Sequence, residues 1–338
     1  MVALSAVVPE ARAPEPAPCV WVLHDGKPGM ASQALGLAEA TGFLFIEKRL
    51  TIRLPWDRLA PLLWVAPLGA VSEGGRRLAP PWPDLVISCG RNTVRPALAI
   101  KQANGGRTLT AHVQDPHFRR EQFDLLVVPE HDRLRGPQVL VTSGAVHRVT
   151  ASRLAAERRR FPLLDALPRP ILGVLIGGAN RAYRLDTSRL AAIADNVAAA
   201  VRRSGGSALV TPSRRTGSAG LATLRERLAG VPGAIWDGSG DNPYFAYLAV
   251  SDALAVTADS VSMVSEAAAT GKPVHIIELA GGDAKFARFH ETMRQAGITR
   301  PFAGEIEHWS YAQPDDTARA GATLRDLLLA RFPQWRRA

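Results

Sequence analysis

Short apolar runs alternate with longer stretches whose apolar positions recur three and four residues apart, the spacings of a strand and of a helix's buried face. The pattern predicts strands at 19–24, 43–49, 84–89, 109–114, 124–128 and 138–141, with helices over 31–41, 56–66 and 93–103. Residues 67–83, "PLGAVSEGGRRLAPPWP", read as a proline- and glycine-rich surface loop. A basic helical stretch, "ASRLAAERRRFPLLDALPRP", precedes a second series. Its strands are expected at 171–176, 207–211, 233–236, 253–257 and 273–277, and its helices at 186–203, 218–229, 243–250 and 260–270. Continuous apolar strands alternating with helices indicate parallel sheets covered on both faces. The expected fold class is therefore α/β, with two Rossmann-like lobes, 19–160 and 168–305, meeting at a cleft. Residues 306–338 are expected to return as a helix to the first lobe, and the Pro- and Ala-rich residues 1–18 to form a disordered lead.

In such sheets ligands bind beyond the carboxyl ends of the strands, where the glycine turns fall. "HDGKPG" ends the first strand: Gly26 and Gly29 permit close approach to the backbone, and Lys27 can offset anionic charge. Asp25 or His24 can act as a general base. "SCGRNT" and "HVQDPH" end neighbouring strands and bring Arg91, Asp115 and His117 to the same edge, with Asp115 competing for the role of base. Helix capping or turn formation is the simpler role open to Asp25, and turn formation that open to Asp115. His131 and Asp132 also follow a strand, but no third ligand has a suitable spacing, so no metal site is expected.

"VTADSVSMVSEAAATGKPVHI" (256–276) is the most informative stretch. Asp259 or Ser260 is placed to cap a helix that Gly271 and Pro273 terminate. Its first turn carries Ser260, Ser262 and Ser265, and a helix amino end can receive a diphosphate. Glu266, one turn on, can accept hydrogen bonds from both hydroxyls of a ribose; a solvated glutamate on a structural helix is the plainer alternative. "LGVLIGGAN" ends a strand in Gly177-Gly178, with Asn180 beyond, where a ligand can lie against backbone amides. "ALVTPSRRTG" supplies Ser213, Arg214 and Arg215 at the next strand end, and guanidinium forks suit phosphate oxygens.

The formal charge of +10, from 41 Lys and Arg against 31 Asp and Glu, favours an anionic partner, although an arginine- and alanine-rich composition accounts for part of it. The basic residues are scattered without an aromatic-interleaved platform, which argues against nucleic acid. Cys19 and Cys89 read as free thiols of a reducing compartment. The amino-terminal stretch lacks the basic region of a signal peptide, and no apolar run reaches the roughly 18 residues of a membrane span. The expectation is a cytoplasmic protein able to touch the inner face of the membrane.

"HDGKPG" with Gln33 and "LGLAEA", "SCGR", "QDP", "FDLLVVPEHD", "SRRTG" and "DSVSMVSEAAATGKPV" together resemble the mitochondrial-fission "elongated mitochondria" family over roughly residues 19–305. That family is related to GT-B glycosyltransferases. The resemblance implies a GT-B-like fold whose second lobe holds a nucleotide-sugar co-substrate and whose first lobe holds an acceptor, with no metal and no other cofactor. By similarity Glu266 would hold the donor ribose and the Ser260–Ser262 turn its phosphates. Two stretches depart from the family pattern: Met30-Ala31-Ser32 stands where more polar residues are expected, and His117 where arginine is frequent. The expected function is metal-independent transfer of a sugar to an envelope or lipid-linked glycan; exposed-loop tryptophans such as Trp82 fit such an acceptor. The alternatives are a GT-B-shaped scaffold without catalysis, and a nucleotide-sugar epimerase.

Overall fold

A computed structural model describes residues 17–337; of the lead expected over 1–18, residues 1–16 lie outside it. The first sheet draws on β1 (Val20–His24), α1 (Pro28–Thr41), β2 (Ile46–Ile52), α2 (Pro67–Ala70), β3 (Val71–Glu73), β4 (Leu85–Cys89), α3 (Val94–Ala103), β5 (Leu109–Val113), β6 (Leu125–Pro129) and β7 (Val139–Thr142). Its order is β3-β2-β1-β4-β5-β6-β7, parallel throughout except for the β2–β3 pair. β1, β4, β5 and β6 are buried along their whole length because helices cover both faces. One face packs Ala34, Leu37 and Ala38 of α1 onto Leu85 and Ile87, and the other packs Trp64, Ala97 and Ile100 onto Leu23 and Val86.

After α4 (Ala151–Arg160), the second series comprises β8 (Ile171–Ile176), β9 (Tyr183–Arg184), α5 (Thr187–Ser204), β10 (Ser207–Pro212), α6 (Gly217–Arg227), β11 (Gly233–Ile235), α7 (Tyr244–Val250), β12 (Ala253–Thr257), α8 (Val261–Ala268), β13 (Val274–Ile277), β14 (Ala280–Gly281), α9 (Ala284–Gln295), β15 (Thr299–Pro301) and α10 (Asp316–Arg331). The sheet runs β11-β10-β8-β12-β13-β15, all parallel, and β9 pairs with β14 as a small antiparallel ribbon. α10 lies on α1: Gly321 fits against the Ala40 backbone, and Arg325 donates to the carbonyl of Thr41 at 3.3 Å.

Several expectations need correction. The helix expected over 56–66 is instead two 3-10 turns, Trp56–Arg58 and Pro61–Leu63, because Pro55, Pro61 and Pro67 interrupt any longer helix. The loop expected over 67–83 contains α2 and the edge strand β3. The second sheet has one strand more than the five expected: α9 follows β13, and β15 joins as a sixth strand. Trp82 is half-buried and packs edge-on against Trp21, with centroids 6.1 Å apart.

Each sheet has one place where the strand order reverses. It lies between β1 and β4 in the first and between β8 and β12 in the second. The "HDGKPG" and "SCGR" turns leave the first of these points; the double glycine and the Asp259–Ser260 turn leave the second.

Candidate active site between the two sheets

The amino ends of α1 and α8 meet. Gly29 sits against Ser262, whose hydroxyl accepts from the Gln33 side-chain amide at 3.2 Å. Ser32 donates to Glu266 Oε1 at 2.7 Å, and the amide of Ala145 donates to Ser265 Oγ at 2.9 Å. Below this contact α9 reaches the first sheet: Lys285 pairs with Asp132 at 2.5 Å, and Arg288 donates twice to the carbonyl of His131.

At the first switch point, Gly26 adopts φ +76, so the chain turns sharply and α1 starts at Pro28. That start is earlier than the expected Ala31 because proline suits a first helical turn. Asp25 does not cap this helix. Its Oδ2 accepts from Lys27 Nζ at 2.6 Å and Asn92 Nδ2 at 3.0 Å, tying the two turns together, while Oδ1 has only a 3.4 Å contact with the Lys27 amide. The Asp25 carboxylate is 8% exposed and the Lys27 side chain 67%. His24 is buried and faces β2: Nδ1 accepts from the Gly26 amide at 3.1 Å, which puts the proton on Nε2 for donation to Glu47 at 2.8 Å. Both ring nitrogens are engaged, which corrects the expectation of His24 as a base.

A cavity of about 310 Å³ opens at the same edge, with Arg91, His112, Gln114, His117 and Lys285 among its lining residues; Asp25 is joined to it through Asn92, the neighbour of Arg91. The cavity walls come from the carboxyl edge of the first sheet, and Lys285 of α9 closes it from the second half of the chain. Gln114, His117 and Arg119 all have positive φ (78, 51 and 42), a conformation costly for non-glycine residues and typical of functional sites. His112 forms the floor, bonded to Ser88 Oγ at 2.8 Å, with its pKa pushed down to about 3, chiefly by burial. Asp115 is gripped by both arms of the Arg120 fork, at 2.8 and 2.7 Å, and by the His117 amide at 2.8 Å. Burial works to raise its pKa, but these donors outweigh it and hold the carboxyl below its usual range. A carboxylate so satisfied is a poor base, which corrects that role for Asp115. It does sit 3.2 Å from His117 Nδ1, and so can orient that exposed ring in the cavity.

The second switch point is filled by the protein itself. Asp259 is buried: it accepts from Thr257 at 2.7 Å, from the Gly178 amide at 3.1 Å and from Arg215 at 2.7 Å. Gly177 and Gly178 make room for that carboxylate and for Arg215; a Cβ on either would overlap them. The Gly177 amide is taken by Thr257 Oγ1. These glycines therefore do not offer free amides to a ligand, contrary to expectation. Asn180 forms an Asx turn to Ala182 and Tyr183, and Ser213 donates to the carbonyl of Gly177, so both shape the edge. Arg214 is exposed beside it. Ser260, not Asp259, caps α8 by accepting from the Met263 amide.

Glu266 is 5% exposed and its two oxygens are occupied, by Ser32 and by the Tyr244 hydroxyl at 2.5 Å. Burial raises its pKa, against the lowering effect of those two donors and of Arg148. Tyr244, Ser32, Asn92 and Lys285 were not candidates from sequence. Each acts through a contact between elements distant in the chain, which local spacing does not reveal.

Two Rossmann-like parallel sheets with apposed carboxyl edges define a GT-B-like protein. The solved UDP-GlcNAc 2-epimerase from Methanocaldococcus jannaschii shares this fold, with a TM-score of 0.54 and 10% identity over 92% of this chain and 99% of that one; it has also been solved in complex with UDP-GlcNAc and UDP. The chain belongs to the family described as Mitochondrial fission ELM1, whose model matches residues 28–328. "Mitochondrial fission protein ELM1" of Arabidopsis thaliana is 32% identical over 309 residues, covering 81% of this chain and 70% of the relative. "Uncharacterized protein RP120" of Rickettsia prowazekii is 25% identical, covering 90% and 97%.

Proposed function

We propose that the chain is a metal-independent glycosyltransferase that moves a sugar from a nucleotide-sugar to an anionic acceptor. The observation that carries this reading is the meeting of the α1 and α8 amino ends next to a cavity at the edge of the first sheet, whose lining residue Gln114 donates to Gln33 of α1 and which Lys285 of α9 closes. The donor diphosphate would lie against the first turn of α8, with Lys27 and Arg214 offsetting its charge as it departs. The acceptor would occupy the 310 Å³ cavity, where Arg91 and His117 suit a carboxylate or phosphate on the glycan. As the acceptor oxygen bonds to the anomeric carbon, the bond to the diphosphate breaks and Asp25 takes the hydroxyl proton. The nucleotide-sugar partner is further supported by the ligands of the epimerase that shares the fold.

Glu266 ties this reading to the lobe contact. Ser32 and Tyr244 present it with two hydroxyl donors, the same pair a ribose diol would supply. Donor binding would then exchange Ser32 for a ribose hydroxyl, loosening the α1–α8 contact. Glu266→Ala is expected to weaken nucleoside diphosphate binding by about 1.5–3 kcal/mol in a calorimetric titration. It should also lower the melting temperature, since Tyr244 loses its acceptor. Ser32→Ala should leave nucleotide affinity intact or tighter. Equal affinity in wild type and Glu266→Ala would leave Glu266 as a tie between lobes and remove it from the donor site.

A further inference from the structure

Between β2 and α2 the chain forms an arch, residues 53–66, at the carboxyl edge of the first sheet. It is fixed from below. Trp64 is fully buried and its indole donates to the carbonyl of Trp56 at 3.1 Å; the Arg53 amide donates to Ala70 at 2.9 Å, and Pro61 is buried. Its outward side is apolar: Leu54 is 74% exposed, Leu59 42%, Leu63 62% and Val65 86%. Four of the seven large apolar side chains that stand exposed among the described residues thus fall in one short anchored arch. Such clustering marks an interaction surface, since scattered single exposures need no explanation.

We propose that this arch docks the protein onto an anionic lipid bilayer. Leu54, Leu63 and Val65 are each more than three-fifths exposed, which suits insertion between acyl chains. The charge beside them is basic: Arg53 and the exposed Arg58 lie in the arch against Asp57 alone, and Arg91 and Arg95 adjoin Pro61 around the cavity, whose two carboxylates, Asp115 and Asp132, are paired with Arg120 and Lys285. Apolar insertion combined with arginines at headgroup level is the pattern of a protein that lies on a membrane. No helix among the described residues is long and apolar enough to span one. Because Pro61 lines the 310 Å³ cavity, docking holds the mouth of that cavity at the bilayer surface. The proposal goes beyond the transfer reaction and does not depend on it.

The test is co-sedimentation of the full chain with vesicles of phosphatidylcholine alone, or mixed with phosphatidylglycerol. The wild type should pellet with the mixed vesicles and far less with phosphatidylcholine alone. The combined variant Leu54→Ser, Leu59→Ser, Leu63→Ser and Val65→Ser should lose at least about tenfold in vesicle affinity. Arg53→Gln and Arg58→Gln should each lose about fivefold, an effect that salt suppresses in the wild type. Equal melting temperatures keep misfolding out of the comparison, and the triple variant Leu54→Ser, Leu63→Ser and Val65→Ser, which spares the less exposed Leu59, should show the same loss. A wild type that stays in the supernatant with both vesicles, or a serine variant that pellets as well as the wild type, overturns the proposal. So does a wild type indifferent to vesicles whose dimer the serine substitutions dissolve, which would assign the arch to a second copy of the chain.

Discussion

Asp25→Asn lowers turnover of a competent donor and acceptor by about 10²–10⁴-fold, the scale of a positioned general base, with donor affinity nearly unchanged. The geometry favours Asp25 over its two rivals. His24 has both nitrogens committed to Gly26 and Glu47, and Asp115 is saturated by Arg120 and His117. Asp25 keeps one oxygen with only a 3.4 Å contact, at the strand-order reversal. The asparagine retains the size of the side chain and can still meet Asn92, so the fold is preserved. Lys27→Ala, by contrast, should weaken donor binding and turnover together. Normal turnover in Asp25→Asn, combined with its loss in His117→Ala, would move the role to the His117 ring oriented by Asp115.

Acidification from about pH 7.5 to about pH 5 is expected to cost stability on the order of several kcal/mol, read as a fall in the urea midpoint. Burial is the largest cause of the depressed pKa of three histidines: His112 to about 3, His131 to about 4 and His147 to about 4. All three lie below the unfolded value of about 6.5, so the unfolded chain takes up protons first as pH falls. Their contribution is complete above about 6.5 and is lost as the pH drops towards 4. Glu266, with its raised pKa, acts in the opposite sense but is one group against these three and His275, which burial also lowers. Asp115, depressed below the carboxylate range, changes little in this window. His112→Gln should flatten the dependence, and a midpoint constant across the range would contradict the burial of these rings as neutral groups.

Much of the architecture is visible in the apolar pattern. β8 and all but the last residue of β12 are continuous apolar runs, β13 is apolar save for His275, and the structure buries each completely. Where the pattern misleads, a local rule was outweighed. "WDRLAPLLWVA" has helical spacing, yet prolines on either side and within leave two short turns. α9 carries Phe286, Phe289 and Met293 among many charges; its clearest signal is Asp283, which caps it by accepting from Lys285 and Phe286. The site divides in the same way. The turns at Asp25, Arg91 and Ser262 are local features that glycines and caps announce. The filling of the second switch point by Asp259 is not, because it depends on packing among β8, β12 and the turn at Arg215, far apart in the chain.

Binding of a nucleotide-sugar between the two sheets is tested most directly by melting the protein across a panel of nucleoside diphosphates and nucleotide-sugars. At least one member, near 100 times its Kd, should raise stability by about 2.7 kcal/mol, a shift of several degrees that Glu266→Ala diminishes. A panel in which no member moves the transition at saturating concentration would contradict a donor site at the α1–α8 junction.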